Sequence, residues 1–456
     1  MDILIKNGTI VTSEEVFKGN LLIKDKIIEK ISKEELEVSK DVHVIDAKNK
    51  LILPGGIDAH THLDMPFMGA FSTDDFYSGT VAAAFGGTTS IIDYIIPKID
   101  QSLNEAYSIW KQKAESKSVI DYGFHMAIVP SVESAINQLA ELKTLGISSI
   151  KCFLAYKNSL MLNDEELEKL FEAATQNNLL VCIHAENGEE IHNLVNKYIN
   201  ENKTAPIYHA LSRPPELECE AVQKVLNTAS LKGSDVYFVH LSTKSAIEEI
   251  QKYKNSEINA YAETCPQYLM YSQEKYEEEN FGGAKYVMSP PLRESFNKDY
   301  LLQASLGNQI DVIATDHCPF NFKKEKQKGI NDFSKIPNGV PGIETRLPLM
   351  FSKLVKENRM PLTQFVRLNF TNPAKIFKIK NKGDIKIGYD ADICIWDADF
   401  KWTITKEKLH ENVDYTIYEG EEITGKPIIV ISKGEIIIEN NSFKGNAGNG
   451  QYLFRS

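Results

Sequence analysis

Hydrophobic positions follow two textures along the chain. Over residues 1–53, short apolar runs (Ile3-Leu4-Ile5, Thr9-Ile10-Val11, Leu21-Leu22-Ile23, Ile27-Ile28 and Val42-His43-Val44-Ile45) are separated by turn-like polar stretches, which predicts short strands. The same texture returns after residue 380, in Ile385-Lys386-Ile387 and in residues 391–396 and 427–431. Chain termini often lie close together, so the two ends are expected to build one small sheet domain between them.

The middle of the chain has longer apolar runs alternating with amphipathic helical patterns, the rhythm of repeated strand and helix units. Eight such runs are read: one ending at Leu53, then residues 89–96, 123–129, 149–154, 179–184, 236–241, 258–264 and 310–315. Residues 163–176, 215–227 and 242–253 carry apolar side chains at helical spacing and are expected in an outer ring. Eight parallel strands close a barrel, although an open doubly wound sheet has the same periodicity. The expected fold is α/β: a (β/α)8 TIM barrel over residues 54–375, with a small β-sandwich domain formed from both chain termini, residues 1–53 and 376–456.

Composition narrows the class. With 456 residues, 42% hydrophobic and 25% charged, the chain can fill a large core. Lys and Arg total 51 against 63 Asp and Glu, a net charge of -12, which disfavours nucleic acid or an anionic membrane as partner. Neither a secretory signal at Met1 to Gly8 nor a membrane-length apolar stretch is read. Cys152, Cys182, Cys219, Cys265, Cys318 and Cys394 are too far apart for zinc knuckles or a redox pair, so scattered core thiols in a reducing cytoplasmic setting are expected.

The candidate chemistry sits at the ends of the apolar runs. His60 and His62, in Gly55-Gly56-Ile57-Asp58-Ala59-His60-Thr61-His62, share one side of an extended strand, a spacing that suits one divalent metal but also an ordinary polar loop. His184, His240 and Asp316 end the fifth, sixth and eighth runs. In a closed barrel the strand ends meet on one face, so residues more than 250 positions apart converge, and four histidines with an aspartate there predict a metal centre. Lys151 lies inside the fourth run. A buried lysine loses its proton readily, and its neutral amine can add carbon dioxide to give a carbamate with two bridging oxygens. Beside two zinc ions that species leaves a net charge of about +1 after Asp316 and a hydroxide are counted, against about +3 for an unmodified lysine. A plain salt-bridging lysine is the alternative.

At these residues the chain resembles the dihydropyrimidinase and hydantoinase family of cyclic amidohydrolases. The resemblance spans roughly the whole length and is carried by the residue 55–62 motif, Gly86-Gly87-Thr88-Thr89, Lys151-Cys152-Phe153-Leu154-Ala155-Tyr156-Lys157, His184-Ala185-Glu186-Asn187-Gly188, Ala262-Glu263-Thr264-Cys265-Pro266-Gln267-Tyr268, Thr315-Asp316-His317-Cys318-Pro319 and Asn338-Gly339-Val340-Pro341-Gly342. It implies two Zn2+ per subunit, one held by His60, His62 and Asp316, the other by His184 and His240, with Lys151 carboxylated by CO2 and bridging them. It further implies that Tyr156 contacts the scissile carbonyl and that Ser289 and Asn338 bind a cyclic amide or ureide substrate through main-chain hydrogen bonds. Asp316 is the expected general base and then acid. The reaction implied is hydrolytic opening of 5,6-dihydropyrimidines or 5-substituted hydantoins to N-carbamoyl amino acids, by a homotetramer or dimer.

Leu63, Phe67 and Phe153 are candidate pocket walls, with ordinary packing as the other reading. Allantoinase and dihydroorotase are neighbouring alternatives. Against the second, the chain reads His60-Thr61-His62-Leu63-Asp64, placing Asp64 where an arginine would receive a substrate carboxylate. A non-catalytic cytosolic scaffold of the same fold lacks the ligands that are all present here. Residues 445–450 read as a flexible tail, and the lysine-rich residues 323–328 as a solvated loop near the barrel mouth with a minor role in substrate access left open.

Overall fold

The N-terminal apolar runs become five strands: β1 (Ile3–Val11), β2 (Val16–Lys24), β3 (Ile27–Ser32), β4 (His43–Asp46) and β5 (Leu51–Pro54). The runs at 3–5 and 9–11 belong to a single strand, interrupted by a bulge where Asn7 adopts φ 63°. The computed structural model describes residues 2–130, 132–254 and 256–455.

Strand β5 corrects the register of the first barrel run. Residues 51–54 pair with β1 and with a C-terminal strand, so they belong to the terminal sheet, and the barrel begins one strand later at β6 (Gly56–Thr61). A small hairpin follows, β7 (Pro66–Phe67) and β8 (Ala70–Phe71), and then β9 (Thr88–Ile95), β10 (Asp121–Ala127), β11 (Ser149–Phe153), β12 (Leu180–His184), β13 (Val236–Phe238), β14 (Ala260–Thr264) and β15 (Val312–Ile313). Strands β6 and β9–β15 form one eight-stranded parallel sheet in sequential order. The gap between β15 and β6 is bridged by a parallel pairing of Thr61 with His317 and by the Thr315 hydroxyl, which donates to Asp58 at 2.7 Å. The eight-stranded barrel is therefore nearly closed, as expected from the number of runs, and is not the open sheet that shares its periodicity.

Alternation along the barrel strands sorts side chains between two cores. In β12, Val181 and Ile183 join the large cluster packed under the helices, whereas Cys182 packs with Tyr237, Val312 and Phe377 inside the barrel. The outer helices form where the apolar spacing predicts them: Asp164–Asn177, Pro215–Lys232 and Lys244–Lys252. Asn163 and Thr243 cap two of them by accepting main-chain N–H groups, which fixes the helix starts.

The chain's other end supplies β16 (Ile393–Thr403), β17 (Glu422–Ser432), β18 (Glu435–Glu439) and β19 (Ser442–Phe443). These join β1–β5 in one nine-stranded, mainly antiparallel sheet. Ile3, Ile5, Ile10 and Leu21 share a core there with Ile393, Ile395 and Ile431, so neither terminal segment buries its apolar face alone. Ile385-Lys386-Ile387 is an exception to the strand reading. It is a turn-flanked connection between Gly383 (φ +79°) and Gly388 (φ +85°), in which Ile385 is buried and Ile387 is exposed.

Residues 445–450 are not a free tail. A Cβ added at Gly450 would fall 1.9 Å from the carbonyl of Ile120, and the strand-like run that follows bonds to the barrel through Tyr122 N–H to Gln451 O (3.0 Å) and Leu453 N–H to Tyr122 O (2.7 Å). Arg455 is fully buried beneath the barrel, donating to Ser149 Oγ (3.2 Å) and to the carbonyl of Phe124. Among the described residues all six cysteines are free, and no helix is long and apolar enough to cross a membrane.

Candidate functional site

Five of the barrel strands deliver the predicted side chains to one cavity. His60 is on β6 and His62 just beyond it; Lys151 is on β11, His184 ends β12, and His240 and Asp316 follow β13 and β15. All six line one cavity with Phe67, Phe153, Tyr156, Ser289 and Asn338. Tyr156, His240 and Asp316 adopt φ of 66°, 41° and 54°, a left-handed conformation that non-glycine residues seldom hold and that surrounding contacts must enforce. It turns each side chain inward at the point where the backbone leaves the barrel.

The imidazoles are oriented by carboxylates behind them. His60 Nδ1 lies 2.7 Å from Glu263 Oε1, leaving Nε2 facing Asp316 Oδ1 at 3.1 Å, and His62 Nε2 lies 3.1 Å from the same oxygen. His184 Nε2 lies 2.8 Å from Glu186, leaving Nδ1 3.0 Å from His240 Nε2. An N–H committed to a carboxylate fixes the ring and leaves the opposite nitrogen aimed at the cavity, where a metal could displace any proton it carries, the arrangement that supports metal-ligating histidines. Glu263 also accepts from the main-chain N–H of His240 (2.9 Å) and from Tyr237 (2.7 Å), so one carboxylate fixes the candidate ligands His60 and His240 together.

Electrostatics in the cavity follow from burial and from these pairs. Burial opposes protonation of His60, but Glu263 and Asp316 outweigh it and lift its pKa to about 9; burial pulls His62 down to about 4 and His240 well below the usual range. Burial favours a neutral Asp316, yet His60 and His62 dominate and hold its carboxyl well below the ordinary carboxylate value. Lys151 is 1% exposed, and burial pulls its pKa down to about 8. Its Nζ has no hydrogen-bond partner; it lies 5.1 Å from the Tyr94 ring and 5.2 Å from that of Phe153.

The donor set fits divalent metal ions. Buried polar atoms are nearly always paired, yet Lys151 Nζ, His62 Nδ1 and His240 Nδ1 have no partner here. Ligand atoms of His60, His240 and Asp316 all lie within 4.8 Å of one another, and the His60 and His240 rings are 5.4 Å apart, so the two expected ligand groups adjoin. Imidazole nitrogen and carboxylate oxygen are the donors zinc accepts.

The groups expected to contact substrate lie together in the same cavity. Asn338 Nδ2 donates to Ser289 Oγ at 3.0 Å, and Tyr156 lines the same cavity. Burial holds the Tyr156 phenol firmly protonated, and its ring centroid is 5.4 Å from that of His184. Phe67 and Phe153 face the cavity as expected, joined by Met65, Ile96 and Leu160, which the sequence reading missed because they occupy loops of no fixed period. Outward, the cavity opens into a cleft of about 490 Å³ lined by Lys98, Lys157 and Arg213 among others.

Three sequence expectations need correction. Leu63 is not a pocket wall: it is fully buried in the outer core, filling the space beside Gly79, where a Cβ would fall 2.4 Å from its Cδ2. Asp64 does not face the cavity either; its carboxylate pairs with Lys113 at 3.5 Å, so it would not repel a substrate carboxylate, and only the lack of an arginine at that position still argues against dihydroorotase. Lys326, in the supposed solvated loop, is completely buried. Glu263 and Glu186 were missed as orienting groups, although each stands in a quoted motif, one at a strand end and the other two residues past His184.

Comparison with known proteins agrees with this geometry. The amidohydrolase family pattern matches residues 51–437. A D-hydantoinase of Geobacillus stearothermophilus is 44% identical over 99% of this chain and 96% of its own length, and a dihydropyrimidinase of Dictyostelium discoideum is 38% identical over 99% and 90%. The crystal structure of dihydropyrimidinase from Brevibacillus agri NCHU1002 superposes with a TM-score of 0.98 at 42% identity, covering 100% of this chain and 99% of that one. The chain belongs to the amidohydrolase family, in the branch of the hydantoinases and dihydropyrimidinases.

Proposed function

We propose that the protein is a two-zinc cyclic amidohydrolase that opens 5,6-dihydropyrimidine or 5-substituted hydantoin rings to N-carbamoyl amino acids. The observation that carries the reading is the convergence of four histidines, Asp316 and an unpartnered buried lysine on a cavity that Ser289 and Asn338 also line. The named relatives support the substrate class. In this reading His60, His62 and Asp316 would hold one ion and His184 and His240 the other, with Lys151, once carboxylated, as a further ligand. Assembly as a tetramer or dimer in the cytoplasm belongs to the same reading and is supported by the family resemblance.

When bound, the ions supply Lewis acidity and lower the pKa of water toward neutrality. The chain's own groups do the rest. Asp316, kept ionised by its histidine neighbours, accepts a proton from the attacking water and delivers it to the departing ring nitrogen. Tyr156, kept protonated by burial, donates to the carbonyl oxygen as negative charge develops there. Main-chain groups of Ser289 and Asn338 orient the ring so that one amide faces Asp316.

Removing the Tyr156 hydroxyl while keeping its ring should isolate that contribution. Tyr156→Phe is expected to lower kcat by roughly 10²-fold, about 2.7 kcal/mol, while metal content and melting temperature hold steady. A kcat equal to wild type would remove Tyr156 from charge stabilisation.

The reading as a whole is tested with metal-loaded protein and a panel of dihydrouracil, dihydrothymine, hydantoin, phenylhydantoin, allantoin and dihydroorotate, each product weighed by mass spectrometry. Accepted rings gain one water. Turnover confined to allantoin or dihydroorotate would move the assignment to those branches, and metal-free protein with no turnover would favour a scaffold.

A further inference from the structure

The two main-chain segments that face the substrate in the proposed function come from distant parts of the sequence, around residues 289 and 338. Neither is part of a regular strand or helix, so something else must hold their separation. Lys326 occupies that position. Its side chain is 0% exposed, and its Nζ donates to three carbonyls: Val287 (2.8 Å), Pro337 (2.8 Å) and Gly339 (2.8 Å). The first stands two residues before Ser289, and the other two flank Asn338.

The surrounding bonds show what the arrangement is for. Gly339 N–H donates to Val287 O at 3.0 Å, His209 Nε2 lies 2.7 Å from Met288 O, and Tyr268 donates to Pro290 O at 2.6 Å. Every neighbour of Ser289 and Asn338 is thus tied down, whereas among the described residues the main-chain groups of Ser289 and Asn338 themselves have no internal partner. Unpaired main-chain groups held rigidly at a cavity wall are donors and acceptors prepared for a ligand. Gly339 (φ +145°) also adopts a backbone conformation that favours glycine, and a Cβ there would meet the carbonyl of Cys318 at 2.3 Å.

We infer that Lys326 is a positioning residue for substrate binding, its ammonium acting as a three-way clamp that sets the distance between the Ser289 and Asn338 main chains. An ammonium suits this role because its three N–H bonds diverge and can reach three separate carbonyls, which no neutral side chain of similar length provides. Burying a charge is costly, and burial pulls the Lys326 pKa down to about 7; the three carbonyl acceptors favour its protonated form. Lys326 has no contact with the metal-ligand cluster, so its loss acts on how the ring is held and not on the reacting atoms.

This inference rests on the ring-opening reading, and the test separates the two. Lys326→Met keeps most of the stem and removes all three donors. With dihydrouracil or hydantoin, whichever the wild type opens, KM is expected to rise roughly tenfold or more while kcat stays within about threefold and metal content is unchanged, the split produced by losing binding shared by ground and transition states. Lys326→Gln, which retains one donor nitrogen, should fall between the two and carries the same measurement if the methionine variant does not accumulate as folded protein. A KM within about twofold of wild type in an active enzyme overturns the inference alone, even if melting temperature falls, because it assigns Lys326 to stability only. A wild type that opens no ring in the panel overturns the functional reading and takes this inference with it.

Discussion

A Lys151→Ala protein is expected to lose its metal and its turnover together. Lys151 is buried on β11 with an unpartnered Nζ, lining the same cavity as the two histidine groups. An ammonium there would repel cations, and a neutral amine would offer a single weak donor. A carbamate supplies two anionic oxygens where the polar inventory is otherwise incomplete. On the proposed reading, truncation to alanine would remove those oxygens and one unit of compensating negative charge, leaving the histidines to hold two dications with Asp316 alone. Metal analysis of purified protein should show a clear drop per subunit. Turnover should fall on the order of 10³-fold or more, since several kcal/mol of charge stabilisation are lost at about 1.4 kcal/mol per tenfold. A short-chain carboxylate added to the variant should restore part of both. The intact wild type, weighed under gentle ionisation, should carry the added mass of one carbon dioxide, an independent readout that does not depend on activity. Near-normal metal and turnover in the variant would reject the bridge.

Asp316→Asn should separate catalysis from folding. The carboxylate follows β15 in a left-handed backbone conformation, with Oδ1 3.1 Å from both His60 Nε2 and His62 Nε2. The amide has almost the same shape, so packing is retained. It cannot accept a proton at neutral pH, and it cannot return one to the leaving nitrogen. Loss of a positioned acid and base costs about 10² to 10⁴-fold in rate. The expected result is a kcat lowered into that range, with melting temperature and circular dichroism close to wild type. Metal content must be measured alongside, because one ligand charge is also lost. Retained turnover within about tenfold at full metal loading would assign proton transfer to another group.

Legibility of the molecule varied with the range of the interactions involved. The candidate ligands His184, His240 and Asp316 could be found because each ends an apolar run, and strand ends in a barrel share one face, whereas His60 and His62 stood out by their spacing in the residue 55–62 motif. Leu53 was misplaced by the same logic: residues 51–54 are as apolar as a barrel strand, and only their pairing with β1 and β16 puts them in the terminal sheet. Leu63 and Asp64 illustrate a second failure. Both follow the metal-binding motif closely, yet one packs outward against Gly79 and the other pairs with Lys113, directions set by a helix and a loop that no local pattern specifies. Lys326 illustrates a third. It stands in a run of charged residues, and its burial depends on three carbonyls brought to it from two other segments.

Strand and helix periodicity, the number of units and the kinds of donor atom available are written in the linear order of residues, because they depend on neighbours a few positions apart. The sequence by itself therefore determined eight strand and helix units, a two-ended sheet domain and the candidate residues for holding metal. Tertiary structure alone decided which carboxylate fixes each imidazole, as Glu263 does for His60 and Glu186 for His184, and which apolar side chains face the cavity. It also decided that the last residues close the barrel floor and that one buried ammonium joins the segments around Ser289 and Asn338. Those outcomes rest on contacts between distant segments, whose geometry exists only once the barrel has brought them within hydrogen-bonding reach.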